Sequence, residues 1–270
     1  KGQAMEIVAA AIAVIVAAAV LVWVAVWQMP DGCLHVRFIP VASGQAILVQ
    51  TPTGRYVLVD GGPEPSVVLT ALGRFMPFWQ RDLDAVLATS REAASLAGLL
   101  DVCRRYRVGL AVAPPAEHSS GLYDRWAATL AQRRTPLAMA YDGMAVQTRD
   151  GVAVEAAAVS DGALALRISY RDLTILLTGD AAASAPVDAA VVAYPTSARA
   201  PRLQPLASTT RVVVLFTGRH APASSPLAPG GDAAIYSTSV HGAIHIRSDG
   251  YRLSVEPEYH VPSGNVPFMR

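Results

Sequence analysis

The chain has 270 residues, of which 52% are hydrophobic and 16% are charged, and its formal net charge is +1. A composition this apolar argues against an entirely soluble chain and favours a membrane segment joined to one globular domain. The small net charge gives no electrostatic indication of nucleic-acid binding. Lys1 is the only lysine, which excludes a phosphate-binding Gly-x-x-x-x-Gly-Lys loop.

An uncharged apolar run extends from Ile7 to Trp27 near the start of the chain. At a rise of 1.5 Å per residue, it is long enough to cross a hydrocarbon core of ~30 Å. A cleaved signal peptide is the alternative, but its apolar region covers only about 7–15 residues and ends in small residues. The run ends in Trp-Gln-Met-Pro-Asp, so we predict a retained transmembrane helix within residues 1–30.

The residues around this run carry a weak signal for orientation and context. The chain starts at Lys1 rather than at a methionine, so we expect the helix to be the last span of a longer membrane protein. Lys1 precedes the run and Asp31 follows it, which favours an extracytoplasmic globular domain in the cell membrane.

After a break at Pro30-Asp31-Gly32, residues 31–256 show two blocks of strand-like segments. The first block contains the predicted strands Leu34–Ile39, Gln45–Gln50, Arg55–Asp60, Leu83–Ala88 and Val108–Ala113, and the helices Ser66–Phe75, Ala93–Tyr106 and Gly121–Arg133. The second contains the strands Val152–Val159, Ala163–Tyr170, Leu173–Thr178, Val187–Ala193, Arg211–Phe216, Ala233–Tyr236, Gly242–Arg247 and Tyr251–Val255. This pattern predicts an α+β fold, with two sheets face to face and helices outside. Residues 257–270 show no periodicity and are predicted to be an irregular tail.

Five short motifs occur in a specific order along this domain. They are Phe-Ile-Pro-Val-Ala-Ser-Gly-Gln-Ala-Ile-Leu (38–48), Gly-Arg-Tyr-Val-Leu-Val-Asp-Gly-Gly (54–62), Asp-Gly-Ala-Leu-Ala-Leu-Arg (161–167), Leu-Leu-Thr-Gly-Asp (176–180) and Ile-Tyr-Ser-Thr-Ser-Val-His-Gly-Ala-Ile (235–244). Together they resemble the metallo-β-lactamase-fold domain of ComEC-type competence proteins, the inner-membrane channels for DNA uptake. The resemblance implies an αββα sandwich of the metallo-β-lactamase type preceded by one transmembrane helix. It also implies three kinds of partner: the membrane, single-stranded DNA and other DNA-uptake components.

The metal-binding pattern of that family is mostly missing. Active relatives carry Thr-His-x-His-x-Asp-His and use zinc or manganese. Here Thr89 matches, but the ligand positions are occupied by Ser90, Glu92, Ala94 and Ser95. Two close metal ions need several histidine and carboxylate ligands to turn bound water into hydroxide near neutral pH. We therefore expect no metal cofactor and no hydrolysis.

Later positions of the pattern depart in the same way. The element that in relatives is Pro-His-His-Gly-Ser has Thr196 and Ser197 in place of the histidines, and two early acidic positions are Pro40 and Gln45. His220 falls near a loop that usually contains Gly-His-Pro, and we interpret it as a remnant of the ancestral substrate pocket.

Asp60 and Asp180 keep the acidic residues of the pattern. Both follow strands at turns, where a carboxylate can accept backbone N–H groups, and this structural role is our preferred interpretation. The alternative is a hydrolase or nuclease with one metal ion held by Asp60, Glu92 and Asp180. A purely structural extracytoplasmic module is the third interpretation.

The remaining histidines and cysteines allow simpler roles. His241 and His245 are four residues apart in a predicted strand and are expected on one face, in a packing role rather than as metal ligands. Cys33 and Cys103 either form one disulfide or remain thiols, and the second alternative is favoured for Cys103 on an apolar helix face. The clustered arginines are interpreted as a solvated face: Arg104, Arg105, Arg107, Arg133 and Arg134.

Overall fold

The computed structural model describes residues 12–21, 23, 29–115, 117, 120–160, 162–179, 188–195, 207–216 and 233–260. Residues 12–21 are helical, and their large apolar side chains are more than half exposed. Within these ranges, no helix combines the length and the hydropathy that crossing a bilayer requires. The predicted span lies partly outside the described residues, so it stays a prediction.

The elements of the domain follow one another in this order. The strands are β1 (Leu34–Phe38), β2 (Ile47–Gln50), β3 (Tyr56–Val59), β4 (Asp82–Leu87), β5 (Arg107–Ala113), β6 (Leu137–Met139), β7 (Ala145–Gln147), β8 (Val152–Ser160), β9 (Ala163–Tyr170), β10 (Leu173–Leu177), β11 (Val191–Pro195), β12 (Val212–Phe216), β13 (Ala234–Ser237), β14 (Ile244–Ser248) and β15 (Leu253–Pro257). The helices are α1 (Pro65–Phe75), α2 (Ala93–Arg105), α3 (Gly121–Gln132) and α4 (Thr238–His241).

The strands form two mixed sheets. The first has the order β15-β14-β1-β2-β3-β4-β5-β6, and the second has the order β13-β12-β11-β10-β9-β8-β7. Within the first sheet β3, β4, β5 and β6 are parallel neighbours, whereas β1 and β2 pair antiparallel. Parallel strands joined by helices bring their carboxyl ends to one edge, which is the usual place for a site in such sheets.

Two apolar layers hold the sheets and helices together. Alternate residues of β1, including Val36 and Phe38, face the second sheet, where the ring of Phe38 lies 5.8 Å from that of Phe216. On its other face the first sheet packs against α1, α2 and α3, with Leu58, Leu99 and Trp126 fully buried between them. The predicted α+β fold of two sheets with helices is confirmed for the described residues.

Most predicted elements agree with the structure within a few residues, and three were missed. The missed elements are β6, β7 and α4. The prediction of a strand reaching from Gly242 is wrong at its start, because β14 begins at Ile244. The last strand, β15, includes Pro257, so the sheet extends one residue past the predicted boundary at residue 256. The rest of the predicted tail beyond residue 260 lies outside the described residues.

The turn after β3 packs directly on α2 through two glycines. The Gly61 N–H donates to the Ser95 carbonyl and the Gly98 N–H donates to the Gly62 carbonyl, each at 2.9 Å. A Cβ on Gly98 would overlap the backbone carbonyl of Gly61. Because both partners are backbone, neither can move without displacing the turn that follows β3.

We predict that Gly98→Ala lowers the free energy of unfolding by at least about 3 kcal/mol, the upper part of the range for overpacking. Gly73→Ala is the matched control, because Gly73 lies in α1 with no atom within 4 Å of an added Cβ. It should raise stability by about 0.5–1 kcal/mol. Urea unfolding of the full chain measures both changes, and similar values for the two variants would contradict the packing described.

Candidate functional site

The residues that occupy the predicted ligand positions lie where β3 and β4 end. Asp60 directly follows β3, and Thr89 and Ser90 follow β4. Glu92 is the N-cap residue of α2, and Ser95 lies in the first turn of that helix. The structure therefore brings Asp60 and the Ser90–Ser95 segment together at one edge of the first sheet.

Asp60 is fully buried, and both of its carboxylate oxygens accept hydrogen bonds. Its Oδ1 accepts from the Thr89 backbone N–H at 2.7 Å. Its Oδ2 accepts from the Gln45 side-chain amide at 2.8 Å and from the Thr89 hydroxyl. The backbone of Asp60 has a φ of 56°, a left-handed conformation that Asp and Asn tolerate better than most residues. The carboxylate thus ties together the loop before β2, the end of β3 and the end of β4.

Burial raises the pKa of Asp60 to about 6, although hydrogen bonds from Thr89, Gln45 and Ser95 favour the ionised form and offset part of that rise. An ordinary aspartate has a value of 3.8. The charged carboxylate is therefore only partly compensated by its neutral donors.

Gln45 is the site residue whose role sequence reasoning missed. The sequence showed only that it replaces an acidic residue of the family pattern. Its side chain is 2% exposed, and its Nε2 also donates to the Thr89 hydroxyl oxygen at 3.1 Å. Its Oε1 has no hydrogen-bond partner among the described residues. A second carboxylate at this position would face Asp60 at close range and would need a proton or a cation between them. An amide removes that requirement because it donates instead. The signal in the sequence was a glutamine placed directly before a continuous apolar strand.

The serines of the segment pair with each other. The Ser90 and Ser95 hydroxyl oxygens are 3.0 Å apart, and both residues are buried. The Glu92 N–H donates to the Ser90 hydroxyl at 3.3 Å, while the Glu92 side chain is exposed. Ala94 offers no donor or acceptor in its side chain, and its backbone packs against Gly44 in the loop before β2.

These groups do not fit a centre of two metal ions. Within the described ranges, no three residues among histidine, cysteine, aspartate and glutamate are grouped closely enough to hold a metal ion. The oxygens of Asp60 would have to break their hydrogen bonds to Thr89 and Gln45 in order to coordinate one. Serine hydroxyls are weak ligands for zinc and manganese compared with imidazole and carboxylate.

The other predicted site residues are not placed. Asp180, Thr196, Ser197 and His220 lie outside the described residues. Gly179, which directly precedes Asp180, has a φ of 54°, and a Cβ there would lie 3.4 Å from the Cβ of Thr89. The described part of the Leu-Leu-Thr-Gly-Asp motif, residues 176–179, therefore reaches the same edge as Asp60.

The expectation that His241 and His245 share one strand face is wrong. His241 ends α4, and Gly242, with a φ of 68°, separates it from β14, which contains His245. His245 instead stacks on His35 of β1, with the ring centroids 5.1 Å apart and the Nδ1 of His35 2.9 Å from the Nε2 of His245. Burial lowers the pKa of His245 to about 4.

Both cysteines are free thiols in this structure. Cys33 is half-buried in the segment before β1, and Cys103 is buried on α2. Burial raises the pKa of the Cys103 thiol to about 11, so it behaves as a small apolar side chain.

Among the comparisons with known proteins, only the one with solved structures found similar proteins, and their sequence identity to this chain is low. No family model matches the sequence, and no curated protein matches it. Among solved structures, the chain is similar to MEM-A1, a subclass B3 metallo-beta-lactamase from a soil metagenome library, with 12% identity over 56% of this chain and 64% of that one and a TM-score of 0.40. It is also similar to the metallo-beta-lactamase fold protein YhfI from Bacillus subtilis (14% identity, 70% and 88%, TM-score 0.49) and to Rm3 metallo-beta-lactamase (17% identity, 72% and 80%, TM-score 0.43).

The chain spans less than two thirds of the length of MEM-A1. The chain's two facing sheets with outer helices are consistent with a metallo-β-lactamase-like fold.

We predict that Asp60→Asn changes how stability depends on pH. The pKa of Asp60 is higher in the folded state than in the unfolded state. Its contribution to the free energy of unfolding of the wild type is therefore fully present below about pH 4 and is lost as pH rises through about 6. The asparagine side chain of the variant does not titrate, and Gln45 can turn its Oε1 toward the new amide. The variant should therefore gain up to about 3 kcal/mol relative to the wild type between about pH 4 and pH 7. Denaturant unfolding at several pH values measures this difference, and a constant difference would contradict the burial of an ionised Asp60.

Proposed function

We propose that the chain is the metallo-β-lactamase-like domain of a ComEC-type DNA-uptake protein, anchored in the cell membrane and without hydrolytic activity. In this proposal it docks, gates or guides DNA on the extracytoplasmic side. The observation that carries the loss of hydrolysis is the network of hydrogen bonds at the ends of β3 and β4. Ser90 pairs with Ser95, and Asp60 pairs with Thr89 and Gln45, at positions where active relatives hold metal ions.

The spatial arrangement of the sequence motifs supports the family. Three motifs that are far apart in the sequence meet around Thr89 and Ala94: Gly44 and Gln45 come from the first, Asp60 from the second and Gly179 from the fourth. Gly44 and Gly179 both have positive φ values, 70° and 54°, and both pack their Cα atoms against this edge. Both glycines thus have two reasons to be glycine, a left-handed backbone and a close approach to this edge.

The membrane anchor is supported by the start of the chain. The run Ile7–Trp27 has no charged residue, and the helical residues 12–21 within it expose their large apolar side chains. Exposed apolar side chains in a continuous helix are expected where lipid rather than water surrounds them.

The chemistry of the described residues supports the loss of hydrolysis. A metal-dependent hydrolase needs a cation that lowers the pKa of bound water by many units. Zinc or manganese would supply that chemistry in active relatives. Among the four ligand positions in the Ser90–Ser95 segment, only Glu92 carries a good metal ligand. One carboxylate does not hold a divalent cation firmly.

We predict that the purified full chain retains only substoichiometric zinc or manganese after incubation with either ion and desalting, and that it shows no manganese-dependent nuclease activity on single-stranded DNA. Metal analysis and a nuclease assay measure the two quantities. Stoichiometric metal together with activity that Glu92→Gln abolishes and Ser95→Ala preserves would establish an active hydrolase instead.

We also predict weak binding of single-stranded DNA that decreases steeply with salt, because a guiding surface contacts phosphates through counterion release. Gel shifts of the full chain at two ionic strengths measure the effect. The logarithm of the binding constant should fall with the logarithm of salt concentration by about 0.7 per phosphate contacted. A complete lack of binding at low salt would identify a purely structural module.

A further inference from the structure

The segment that follows the apolar run lies at the edge of the domain opposite the candidate site. The pairings of β1 with β14 and β2, and of β3 with β4, place four segments along this edge: the linker 29–33, the β2–β3 turn 51–54, the α1–β4 loop 76–81 and the β14–β15 turn 249–252. We name these four segments the entry edge. The chain enters the domain here.

The linker is fastened to this edge at two points. Pro30 packs on the β2–β3 turn so closely that a Cβ on Gly54 would lie 2.5 Å from its Cγ. The Asp31 carboxylate accepts hydrogen bonds from the His35 Nε2 at 2.8 Å and from the Arg247 Nε at 2.9 Å. These contacts hold Pro30 and Asp31 of the linker against the β2–β3 turn and β14.

Two exposed aromatic residues, Phe78 and Trp79, lie on the same edge. Phe78 is 62% exposed and Trp79 is 46% exposed, and their rings meet edge to face at 4.7 Å. The Gln80 N–H donates to the Pro77 carbonyl at 2.9 Å, which closes the turn that presents them. Neighbouring strands are about 4.8 Å apart, so the start of β4 lies about 14 Å from the start of β1 and of the linker. Tyr251, on the β14–β15 turn, is also exposed.

Three arginines lie on or next to the same edge as these aromatic rings. Arg81, the last residue of the α1–β4 loop, is exposed and lies over the Tyr106 ring at 5.6 Å, and Arg252 is exposed beside Tyr251. Arg171, on the β9–β10 turn of the second sheet, lies over the Tyr251 ring at 5.4 Å and donates to the Asp249 carbonyl. Tryptophan, tyrosine and arginine together are typical of protein surfaces that contact the headgroup region of a bilayer.

We propose that the entry edge docks on an anionic lipid bilayer, with Phe78 and Trp79 at headgroup depth and the arginines on lipid phosphates. The proposal rests on the membrane anchor proposed above, because the anchor brings this edge to the bilayer. Docking holds the candidate site away from the membrane. The six residues of β4 separate the two edges by about 20 Å.

Tryptophan quenching by lipid tests the proposal on the full chain. Trp23→Phe/Trp27→Phe leaves only Trp79 and Trp126, and Trp126 is fully buried. The variant is reconstituted in vesicles of equimolar phosphatidylglycerol and phosphatidylcholine with brominated acyl chains. We expect the Trp79 emission to be quenched relative to unbrominated vesicles, and to be quenched less in purely phosphatidylcholine vesicles or at high salt.

A matched control moves the fluorophore to the opposite edge. Tyr141, which follows β6 on the edge of the candidate site, is 66% exposed. Adding Trp79→Phe and Tyr141→Trp to the same background should remove the lipid-dependent quenching.

The outcomes separate docking from anchoring. Quenching of the wild-type chain without quenching of the Trp23→Phe/Trp27→Phe variant would keep the anchor and overturn the docking surface. A lack of quenching in both would overturn both proposals. Trp79 emission that depends on protein concentration but not on brominated lipid would assign this edge to a second copy of the chain and overturn lipid docking.

Discussion

One buried carboxylate holds together the edge on which the candidate site depends. Asp60 joins the end of β3 to the end of β4 through Thr89, and to the loop before β2 through Gln45. Removing it would leave buried donors unpaired, which costs about 1–3 kcal/mol for each. Three hydrogen bonds from Thr89 and Gln45 hold this carboxylate, while the Gln45 Oε1 has no partner among the described residues. Hydrogen bonds between protein groups therefore hold the ends of β3 and β4 and the loop before β2 in place.

The sequence was sufficient to predict most of the fold, because long periodic segments carry a clear signal. β9 has the predicted bounds, Ala163–Tyr170, and the three long helices begin within one residue of their predicted starts. β6 and β7 were missed because each has only three residues, none of them buried, in which no period can develop. α4 was missed because one helical turn before a glycine looks like the start of the next strand.

The sequence was sufficient to predict which segments form the candidate site. It was not sufficient to predict the hydrogen bonds and ring contacts between them. The resemblance located Asp60 and the Ser90–Ser95 segment, and the α2 start explains why the two serine hydroxyls meet across one turn. The amide of Gln45 donating to Asp60 and the stack of His35 on His245 depend on pairings between distant segments, and His35 and His245 are 210 positions apart. Local patterns contain no information about such contacts. Tertiary structure also separates the domain into a site edge and an entry edge, a division that the chain order does not reveal.

The most direct test of this account is a crystal structure of the chain grown with zinc, with anomalous scattering measured at the zinc edge. The account predicts that the Ser90–Ser95 and Gln45–Asp60 hydrogen bonds persist and that no anomalous peak lies within coordinating distance of Glu92. A strong peak bound by Glu92 and Asp60, with the Gln45 amide displaced, would contradict the claim that hydrogen bonds rather than a metal ion hold this edge together.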